Sequence, residues 1–358
     1  MRILLLNMEN GWRGGERQTL LSAQAFRDKG HDVAIVARQG GDLANAARVQ
    51  DLCVLEAGSV MQLCRLLWNK RGAFDVFHAQ TANTLTWLAL LKPMLKGIVV
   101  FTRRTAFAVS RRSAMTAWKW RRADVLVAIT RAAAAEPMRL GVRVDHIISS
   151  AVQHHAVRPD DIARLRAELV PHGLRVVATV AALTREKDPL TLIRAVHQLR
   201  QTYKDFIFLH FGSMGPLESE ARQLVQQLGL EKVYIFTGFR PDIIECYGLM
   251  DVFTLSSSAE ALGTSVLDAY LYNVPVAGTD AGGLAEILAD GRGLASPVGD
   301  SAALAQNIAR LLDDPALRRS LTEHASRYVH EEHAPDRMAD RYLSAYDKGL
   351  SLAGRHPE

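Results

Sequence analysis

The chain has 358 residues, 48% of them hydrophobic and 23% charged, with three cysteines and a formal net charge of +5. A chain longer than about 250–300 residues predicts two domains, and this composition excludes a disordered or fibrous protein. No apolar run reaches the roughly 18 residues of a membrane-spanning helix, and the opening apolar run is too short for a signal peptide, so we expect a cytosolic protein. The cysteines have neither zinc-site nor disulfide spacing.

Short apolar runs alternate with helical patterns along the chain. The first half contains six predicted strands, at 3–6, 32–37, 75–77, 98–101, 125–129 and 147–149. After a polar, proline-containing segment, five more are predicted at 176–180, 206–211, 233–237, 252–255 and 274–278. Each strand is followed by enough residues for a helix, which is typical of parallel sheets with helices on both faces. The sequence therefore predicts two successive α/β domains, residues 1–160 and 172–334.

Positive charge is concentrated in the first half. Residues 1–170 hold 25 Lys+Arg and 14 Asp+Glu, whereas residues 171–358 hold 18 and 24. Much of the excess lies in residues 103–122, where seven cations alternate with Phe107, Trp118 and Trp120: Arg103, Arg104, Arg111, Arg112, Lys119, Arg121 and Arg122. Such a stretch suits an anionic membrane surface or a phosphorylated acceptor, and a solvated charged face is the alternative. No nucleic-acid-binding motif accompanies it, so we expect no nucleic acid partner.

The loop after the first strand is rich in glycine, with Gly11, Gly14 and Gly15 before a helix predicted from about Glu16 to Lys29. A helix N-terminus after a strand and a glycine turn exposes unpaired N–H groups and can cradle an anion. The spacing is not the GxGxxG dinucleotide fingerprint, and a purely structural turn is the alternative.

His78 ends the third predicted strand of the first domain. Ligands collect at the carboxyl ends of strands in open α/β sheets, so His78 is placed to touch substrate and to donate to or accept from a hydroxyl. A histidine without a functional role is the alternative.

The second domain opens with a strand and a turn that carries Arg185, Glu186 and Lys187, and a helix begins at Asp188-Pro189. Cations projecting from a strand end suit a diphosphate. The alternative is that these Arg and Lys side chains are exposed on a turn and bind no ligand.

Glu260 and Asp268 flank a helix start at Gly263, Thr264 and Ser265. If the whole segment were helical, the carboxylates would be about 12 Å apart, too far for the roughly 5 to 9.5 Å that glycosidases need. Carboxylates on either side of an anion-binding turn fit a nucleotide sugar: one accepts hydrogen bonds from the sugar, the other from ribose, and the turn binds the diphosphate.

These motifs, in this order over nearly the whole chain, resemble the retaining GT-B glycosyltransferases of family 4, also called glycosyl transferases group 1. The matching segments are Gly14-Gly15-Glu16-Arg17, Asp75-Val76-Phe77-His78, "AALTREKD", "GSMGPLESEARQLVQQLGL", "VYIFTGFRPDI", Glu260-x7-Asp268 and "NVPVAGTDAGGLAEI". The closing segment resembles the family's last helix, which implies that residues 335–358 cross back to the first domain. The implied fold is two Rossmann-like domains facing across a cleft, the first binding acceptor and the second donor.

The resemblance also implies roles for single residues. Lys187 and Arg185 would hold the donor diphosphate, together with the backbone of Gly263, Thr264 and Ser265. Gly14 and Gly15 would contact the donor nucleotide sugar. Asp268 would hold ribose, Glu260 the donor sugar, and Arg240 would lie near the base. His78 would lie beside the sugar and the acceptor, so Glu260 and His78 are the expected catalytic residues. The implied reaction retains the anomeric configuration and uses neither metal nor cofactor, since cations and helix dipoles replace the metal.

We therefore expect sugar transfer from a nucleotide sugar, with UDP favoured and GDP or ADP open, to an envelope glycan or glycolipid such as a lipopolysaccharide or capsule precursor. The expected location is the cytoplasmic face of the cell membrane, held there by residues 103–122. Asp268 replaces the family's usual glutamate and Ala182 its usual arginine. These departures leave open a non-catalytic nucleotide-sugar-binding protein, and a GT-B nucleotide-sugar epimerase is the other alternative.

Overall fold

The structure is a computed structural model that describes residues 1–109 and 112–355. The chain forms two compact units, one of Met1–Ala151 with Glu332–Glu358 and one of Val152–Glu331. The first unit therefore ends before residue 160, where the sequence placed the boundary, and the C-terminal segment belongs to it. In the described residues, no helix is long and apolar enough to cross a membrane.

The first unit is built on a seven-stranded parallel sheet. Its strands are β1 (Arg2–Asn7), β2 (Asp32–Arg38), β3 (Cys53–Ala57), β4 (Val76–Ala79), β5 (Ile98–Arg103), β6 (Val125–Ala128) and β7 (His146–Ile147). Their order across the sheet is β3-β2-β1-β4-β5-β6-β7. The direction of strand addition reverses between β1 and β4, which are direct neighbours.

Helices cover both faces of this sheet. They are α1 (Gly14–Asp28), α2 (Asp42–Val49), α3 (Val60–Asn69), α4 (Ala82–Leu91), α5 (Ser113–Arg121) and α6 (Arg131–Arg139). Alternate residues of β1 enter two different cores, because successive side chains of a strand point to opposite faces. Ile3 and Leu5 pack with Phe26 of α1, whereas Leu4 and Leu6 pack with helices α3 to α5.

Aspartates fix the amino ends of several strands. Each lies next to the start of a strand, and its carboxylate accepts the backbone N–H at the start of the neighbouring strand, at 2.8 Å in all four cases: Asp75 from Arg2, Asp124 from Val99, Asp145 from Leu126 and Asp251 from Val176. These bonds satisfy donors that the ladder leaves open and hold the strand register. The aspartate of the "DVFH" motif is thus structural.

The second unit has a six-stranded parallel sheet. Its strands are β8 (Arg175–Val180), β9 (Phe206–Phe211), β10 (Tyr234–Gly238), β11 (Val252–Leu255), β12 (Val276–Thr279) and β13 (Leu294–Ser296), in the order β10-β9-β8-β11-β12-β13. The helices in chain order are α7 (Pro159–Leu169), α8 (Pro189–Thr202), α9 (Glu218–Gln227), α10 (Ile243–Tyr247), α11 (Thr264–Leu271), α12 (Gly283–Leu288), α13 (Ser301–Asp313) and α14 (Pro315–Glu332). Here the direction of strand addition reverses between β8 and β11.

The last helix, α15 (Pro335–Leu352), packs in the core of the first unit. Tyr342 and Tyr346 are buried against Phe26, with ring centroids 6.1 and 5.7 Å apart. The prediction of two parallel-sheet α/β domains is confirmed. The edge strands β3 and β13 and helix α7 were not predicted from the sequence.

Candidate functional site

The second sheet places two loops side by side at its carboxyl edge. One follows β8 and carries Arg185–Lys187 as a short 3-10 turn, and the other follows β11 and begins at Ser256. Since β8 and β11 are neighbours and the strand order reverses between them, this edge is a topological switch point. In open α/β sheets that crevice is where ligands bind.

Hydrogen bonds join the two loops. The backbone N–H of Ser258 donates to the carbonyl of Glu186 at 2.8 Å. The Ser256 hydroxyl lies 2.9 Å from the carbonyl oxygens of both Lys187 and Asp188. Asp188 adopts a left-handed conformation, with φ +44°, and its side chain caps α8 by accepting from Thr191. A strained backbone held from several sides fixes the direction in which Lys187 leaves the loop.

Lys187 and Glu260 form an ion pair in this crevice. The Ser257 hydroxyl donates to the same carboxylate oxygen of Glu260 at 3.2 Å. The side chain of Lys187 is 25% exposed and that of Glu260 12%, so both are shielded without being sealed from solvent. The structure thus brings together the residues predicted to bind the diphosphate and the donor sugar, already paired with each other.

The turn before α11 needs glycine at its centre. Gly263 precedes Thr264 with φ +87°, a left-handed conformation that costs a residue with a side chain about 1–2 kcal/mol. Within the described residues, no side chain caps the start of α11. The N–H groups of its first turn, at Thr264 and Ser265, are therefore available to an anion.

Gly283 closes the crevice from behind. Its backbone N–H donates to the Glu260 carbonyl at 2.8 Å, and a Cβ at this position would lie 1.9 Å from the Ala261 carbonyl oxygen. Only glycine lets α12 approach the Glu260 loop this closely.

The remaining predicted donor residues lie in different surroundings. Asp268 is 5% exposed on α11, one helical turn after Thr264. The Arg185 side chain is exposed to solvent. Arg240 already binds two carboxylates, Asp242 at 2.8 Å and Glu168 at 2.7 Å, and these pairs raise its pKa. The structure therefore gives Arg240 an ion-pair role that anchors α7, and its predicted contact with the base stays a prediction.

The end of β9 supports the site, which the sequence analysis missed. His210 lies 3.0 Å from the Ala181 carbonyl through Nε2 and 2.7 Å from the Tyr234 hydroxyl through Nδ1. Because a carbonyl only accepts, the proton is on Nε2 and Nδ1 accepts from tyrosine. Burial lowers the pKa of His210 to about 4. A Cβ on Gly212 would lie 2.0 Å from the Ala181 carbonyl oxygen. The first glycine of "GSMG" therefore marks a place where the backbone after β9 lies too close to the loop after β8 for a side chain.

In the first unit, α1 begins at Gly14, two residues before the predicted start at Glu16, so Gly14 and Gly15 belong to its first turn. The Glu16 carboxylate occupies part of this helix N-terminus, since it accepts from the Arg13 backbone N–H at 2.9 Å and from the Asn7 amide at 3.3 Å. A Cβ on Gly15 would meet no atom within 4 Å. The loop is thus open beside Gly15, but part of its donor capacity is already used by the protein.

His78 lies in the core of the first unit, with 0% of its surface exposed. Its Nδ1 is 2.7 Å from the Tyr346 hydroxyl and its Nε2 is 2.8 Å from the Thr102 hydroxyl. Burial, with the nearby Arg104 charge, lowers its pKa well below the usual value. In this structure His78 has no surface to offer a substrate, and its predicted catalytic contact finds no geometric support. The histidine instead ties β4 and β5 to α15.

The basic stretch 103–122 divides into distinct parts. Arg103 is buried, 4.7 Å from the Trp120 ring, and donates to backbone carbonyls, so it is structural. Arg104 is half-buried at the carboxyl end of β5. Arg111 lies outside the described residues. The solvent-facing cations that remain are Arg112, Arg121 and, in part, Lys119 and Arg122.

No cluster of three or more His, Cys, Asp or Glu side chains able to hold a metal ion occurs in residues 1–109 and 112–355.

The crystal structure of Anabaena Alr3699/HepE in complex with UDP and glucose matches this fold with a TM-score of 0.86 at 21% identity, over 97% of this chain and 100% of that chain. This likeness shows the GT-B fold.

Curated relatives share more sequence. The 2-deoxystreptamine glucosyltransferase of Streptomyces kanamyceticus is 30% identical over 66% of this chain and 64% of its own length. The lipopolysaccharide core biosynthesis glycosyltransferase LpsD of Rhizobium meliloti is 29% identical over 64% and 65%. The chain thus spans just under two thirds of these two relatives. EpsD of Bacillus subtilis, which is named as a glycosyltransferase, is 30% identical over 76% of this chain and 77% of its own length.

Family models match both units, "Glycosyltransferase Family 4" over residues 12–155 and "Glycosyl transferases group 1" over residues 161–328. The chain therefore belongs to the group 1, family 4 glycosyltransferases.

Proposed function

We propose that this protein transfers a sugar from a nucleoside diphosphate sugar to a cell-envelope glycan or glycolipid, with retention of the anomeric configuration and without a metal ion. The observation that carries the proposal is the crevice that joins Lys187, Glu260 and the turn at Gly263. One cation, an uncapped helix start and one carboxylate match the diphosphate and the hydroxyls of a nucleotide sugar.

In this mechanism the donor replaces the internal ion pair. The diphosphate takes Lys187 and the first N–H groups of α11, and Glu260 then turns to the hydroxyls of the donor sugar. The acceptor oxygen attacks the anomeric carbon on the face from which the diphosphate leaves, and a phosphate oxygen takes the acceptor proton. Lys187 and the dipole of α11 stabilise the charge that develops on the leaving diphosphate, the work that a metal ion does elsewhere.

The substrate classes draw support from the relatives. HepE was crystallised with UDP and glucose, and LpsD is named for lipopolysaccharide core biosynthesis. We propose a UDP-sugar as donor and a lipopolysaccharide-type or capsule-type glycan as acceptor. The donor screen described below also includes GDP-sugars and ADP-sugars.

We further propose that the face formed by α4 and α5 rests on an anionic membrane. Lys119 donates to Thr86 at 3.1 Å and Arg122 to the Ala89 carbonyl at 3.3 Å, which places the two helices side by side. Four large apolar side chains on these helices and the turn after α4 are between 41% and 52% exposed: Leu90, Met94, Met115 and Trp118. Apolar side chains beside cations complement a membrane surface rich in anionic lipid.

Vesicle flotation tests the membrane proposal. The double variant Arg121→Gln/Arg122→Gln should lose binding to vesicles with anionic lipid, at about 1 kcal/mol per cation, or roughly tenfold or more for the pair. The matched control, Arg319→Gln on α14 of the second unit, should bind like wild type. Equal flotation of both variants would remove this surface from the account.

Donor turnover in water tests the reaction itself and needs no acceptor. A thermal-shift screen of UDP, GDP and ADP sugars identifies the donor, since a ligand at about 100 times its Kd stabilises by about 2.7 kcal/mol. Proton NMR during slow hydrolysis of that α-linked donor should then show the α-anomer of the free sugar first. The β-anomer first would contradict retention, and a C2 epimer would identify an epimerase. Hydrolysis of the bound donor would count against a non-catalytic binding protein.

A further inference from the structure

Arg104 is a cation without an anionic partner in the described part of the first unit. Its Nη1 donates to the Ser150 hydroxyl at 3.0 Å and its Nη2 to the Gln80 side-chain oxygen at 2.7 Å. Both acceptors are neutral. The Nε atom is buried and has no hydrogen-bond partner. By contrast, Arg2 is paired with Asp75 and Arg240 with Asp242.

An unpaired guanidinium in such a place is costly. Removing a cation from water costs several kcal/mol unless an opposite charge or a full set of hydrogen bonds compensates it. Hydrogen bonds from two of the three guanidinium nitrogens to neutral acceptors compensate for this desolvation cost only in part. The nearby carboxylate of Glu16 is engaged by Arg13 and Asn7. An anion arriving at Arg104 would therefore find a charge that the protein has left unsatisfied.

The side chain is also held in position. Gln80 and Ser150 are 4% and 2% exposed, so the partners of Arg104 are fixed in the protein interior. The Gln80 amide lies 3.1 Å from Nδ1 of His78, whose ring is itself bound by Tyr346 and Thr102. This network orients the guanidinium before any ligand arrives, which lowers the entropy cost of binding.

Arg104 lies where an α/β sheet binds its ligands. It follows β5 directly, and Gln80 follows β4, the strand at which the order of this sheet reverses. The loop after β1, at the same carboxyl edge, presents Trp12, which is 39% exposed, and an exposed Arg13. An aromatic ring and cations at one edge suit a sugar that carries a negative charge.

We propose that Arg104 is the specificity-determining residue of an anionic acceptor subsite, where its guanidinium binds a carboxylate or phosphate group carried by the acceptor sugar. The proposal rests on the proposed function, since it assigns the acceptor to the first unit. It names the acceptor class as an acidic or phosphorylated saccharide.

Binding of three monosaccharides tests the proposal: galacturonic acid, glucose 6-phosphate and neutral glucose. All five tryptophans, at 12, 68, 87, 118 and 120, belong to the first unit, so tryptophan fluorescence reports both its folding and its ligands. Wild type should bind at least one acidic sugar about tenfold or more tightly than glucose. Whether the carboxylate or the phosphate is preferred distinguishes the two sources of the anion.

Variants separate charge from packing. Arg104→Gln should lose the preference for the acidic sugar, Arg104→Lys should keep part of it, and the exposed control Arg65→Gln on α3 should keep all of it. Wild type that binds the three sugars equally, or Arg104→Gln that keeps the preference, would overturn the proposal. The wild-type comparison decides even if Arg104→Gln fails to fold.

Calorimetry of UDP binding to the same proteins distinguishes a failure of the proposed function from a failure of the Arg104 proposal. Wild type and Arg104→Gln should bind UDP equally, because the donor crevice lies in the second unit. Wild type that binds none of UDP, GDP and ADP would contradict the proposed function. UDP binding without any acidic-sugar preference would contradict only the role of Arg104.

Discussion

Replacing Lys187 by methionine is the sharpest test of the donor crevice. The change removes the cation that would meet the diphosphate and leaves the Glu260 carboxylate, 12% exposed, facing the site with only Ser257 as a hydrogen-bond donor. A charge-assisted contact contributes about 1.5–3 kcal/mol, so the Kd for UDP should rise about 10- to 150-fold. Isothermal titration calorimetry measures this directly.

Glu260→Gln provides the opposite perturbation. In the free protein the ion pair must open before a diphosphate can take Lys187, and a partly exposed pair is worth about 1 kcal/mol or less. Glu260→Gln should therefore bind UDP as tightly as wild type or up to about fivefold tighter. Donor turnover should fall in the same variant, because the amide is a weaker acceptor for the sugar hydroxyls.

Lys232→Met, an exposed lysine on the same unit, is the matched control and should bind UDP like wild type. The reasoning is refuted if Lys187→Met binds UDP within a factor of about two to three of wild type, less than a single charge-assisted contact accounts for. An equal loss in Lys232→Met would show that general charge, and not the crevice, attracts the nucleotide.

Three further variants test the support of the site. Gly263→Ala, at φ +87°, should cost about 1–2 kcal/mol in urea unfolding and weaken UDP binding. Gly212→Ala places a Cβ 2.0 Å from the Ala181 carbonyl oxygen and should lower the melting temperature more than Gly229→Ala, where a Cβ meets open space. The pKa of His210 is about 4 in the folded state and 6.5 in the unfolded chain. Between pH 4 and 6.5 the unfolded chain therefore binds more protons than the folded protein. Stability should fall as the pH drops from 6.5 to 4, by about 3 kcal/mol from this residue, and the slope should be shallower in His210→Phe.

Each of these has a clear contrary result. Unchanged unfolding and UDP affinity in Gly263→Ala would show that the turn tolerates a side chain. Equal melting of the Gly212 and Gly229 variants would deny the close approach at Ala181. A pH slope that is the same with and without His210 would assign the acid sensitivity to other groups.

Local pattern predicted most of the fold because buried parallel strands are nearly continuous apolar runs. Eleven of the thirteen strands in the described residues were found in this way, and the two that were missed, β3 and β13, lie at sheet edges. The strand β3 is mostly half-buried, and β13 has three residues, so neither gives a strong apolar signal. Helix α7 was missed because its composition is polar, with Leu165 fully buried among charged residues.

The sequence predicted the main parts of the donor crevice but not how they are paired. Lys187 and Glu260 are 73 residues apart, and only the fold shows that they meet. The burial of His78 was not foreseen for the same reason, since its partner Tyr346 is 268 residues away on α15. A strand-end histidine is open to solvent only if nothing later in the chain covers it, and local pattern carries no information on that point.

Hydrogen exchange with and without UDP, in buffer that contains EDTA, tests the central claim most directly. The account predicts that UDP protects backbone amides in residues 181–188 and 256–266, because Lys187 and the first turn of α11 bind the diphosphate without a metal. Protection that is absent in EDTA and appears only with Mg²⁺, or that falls outside both segments, would contradict the account.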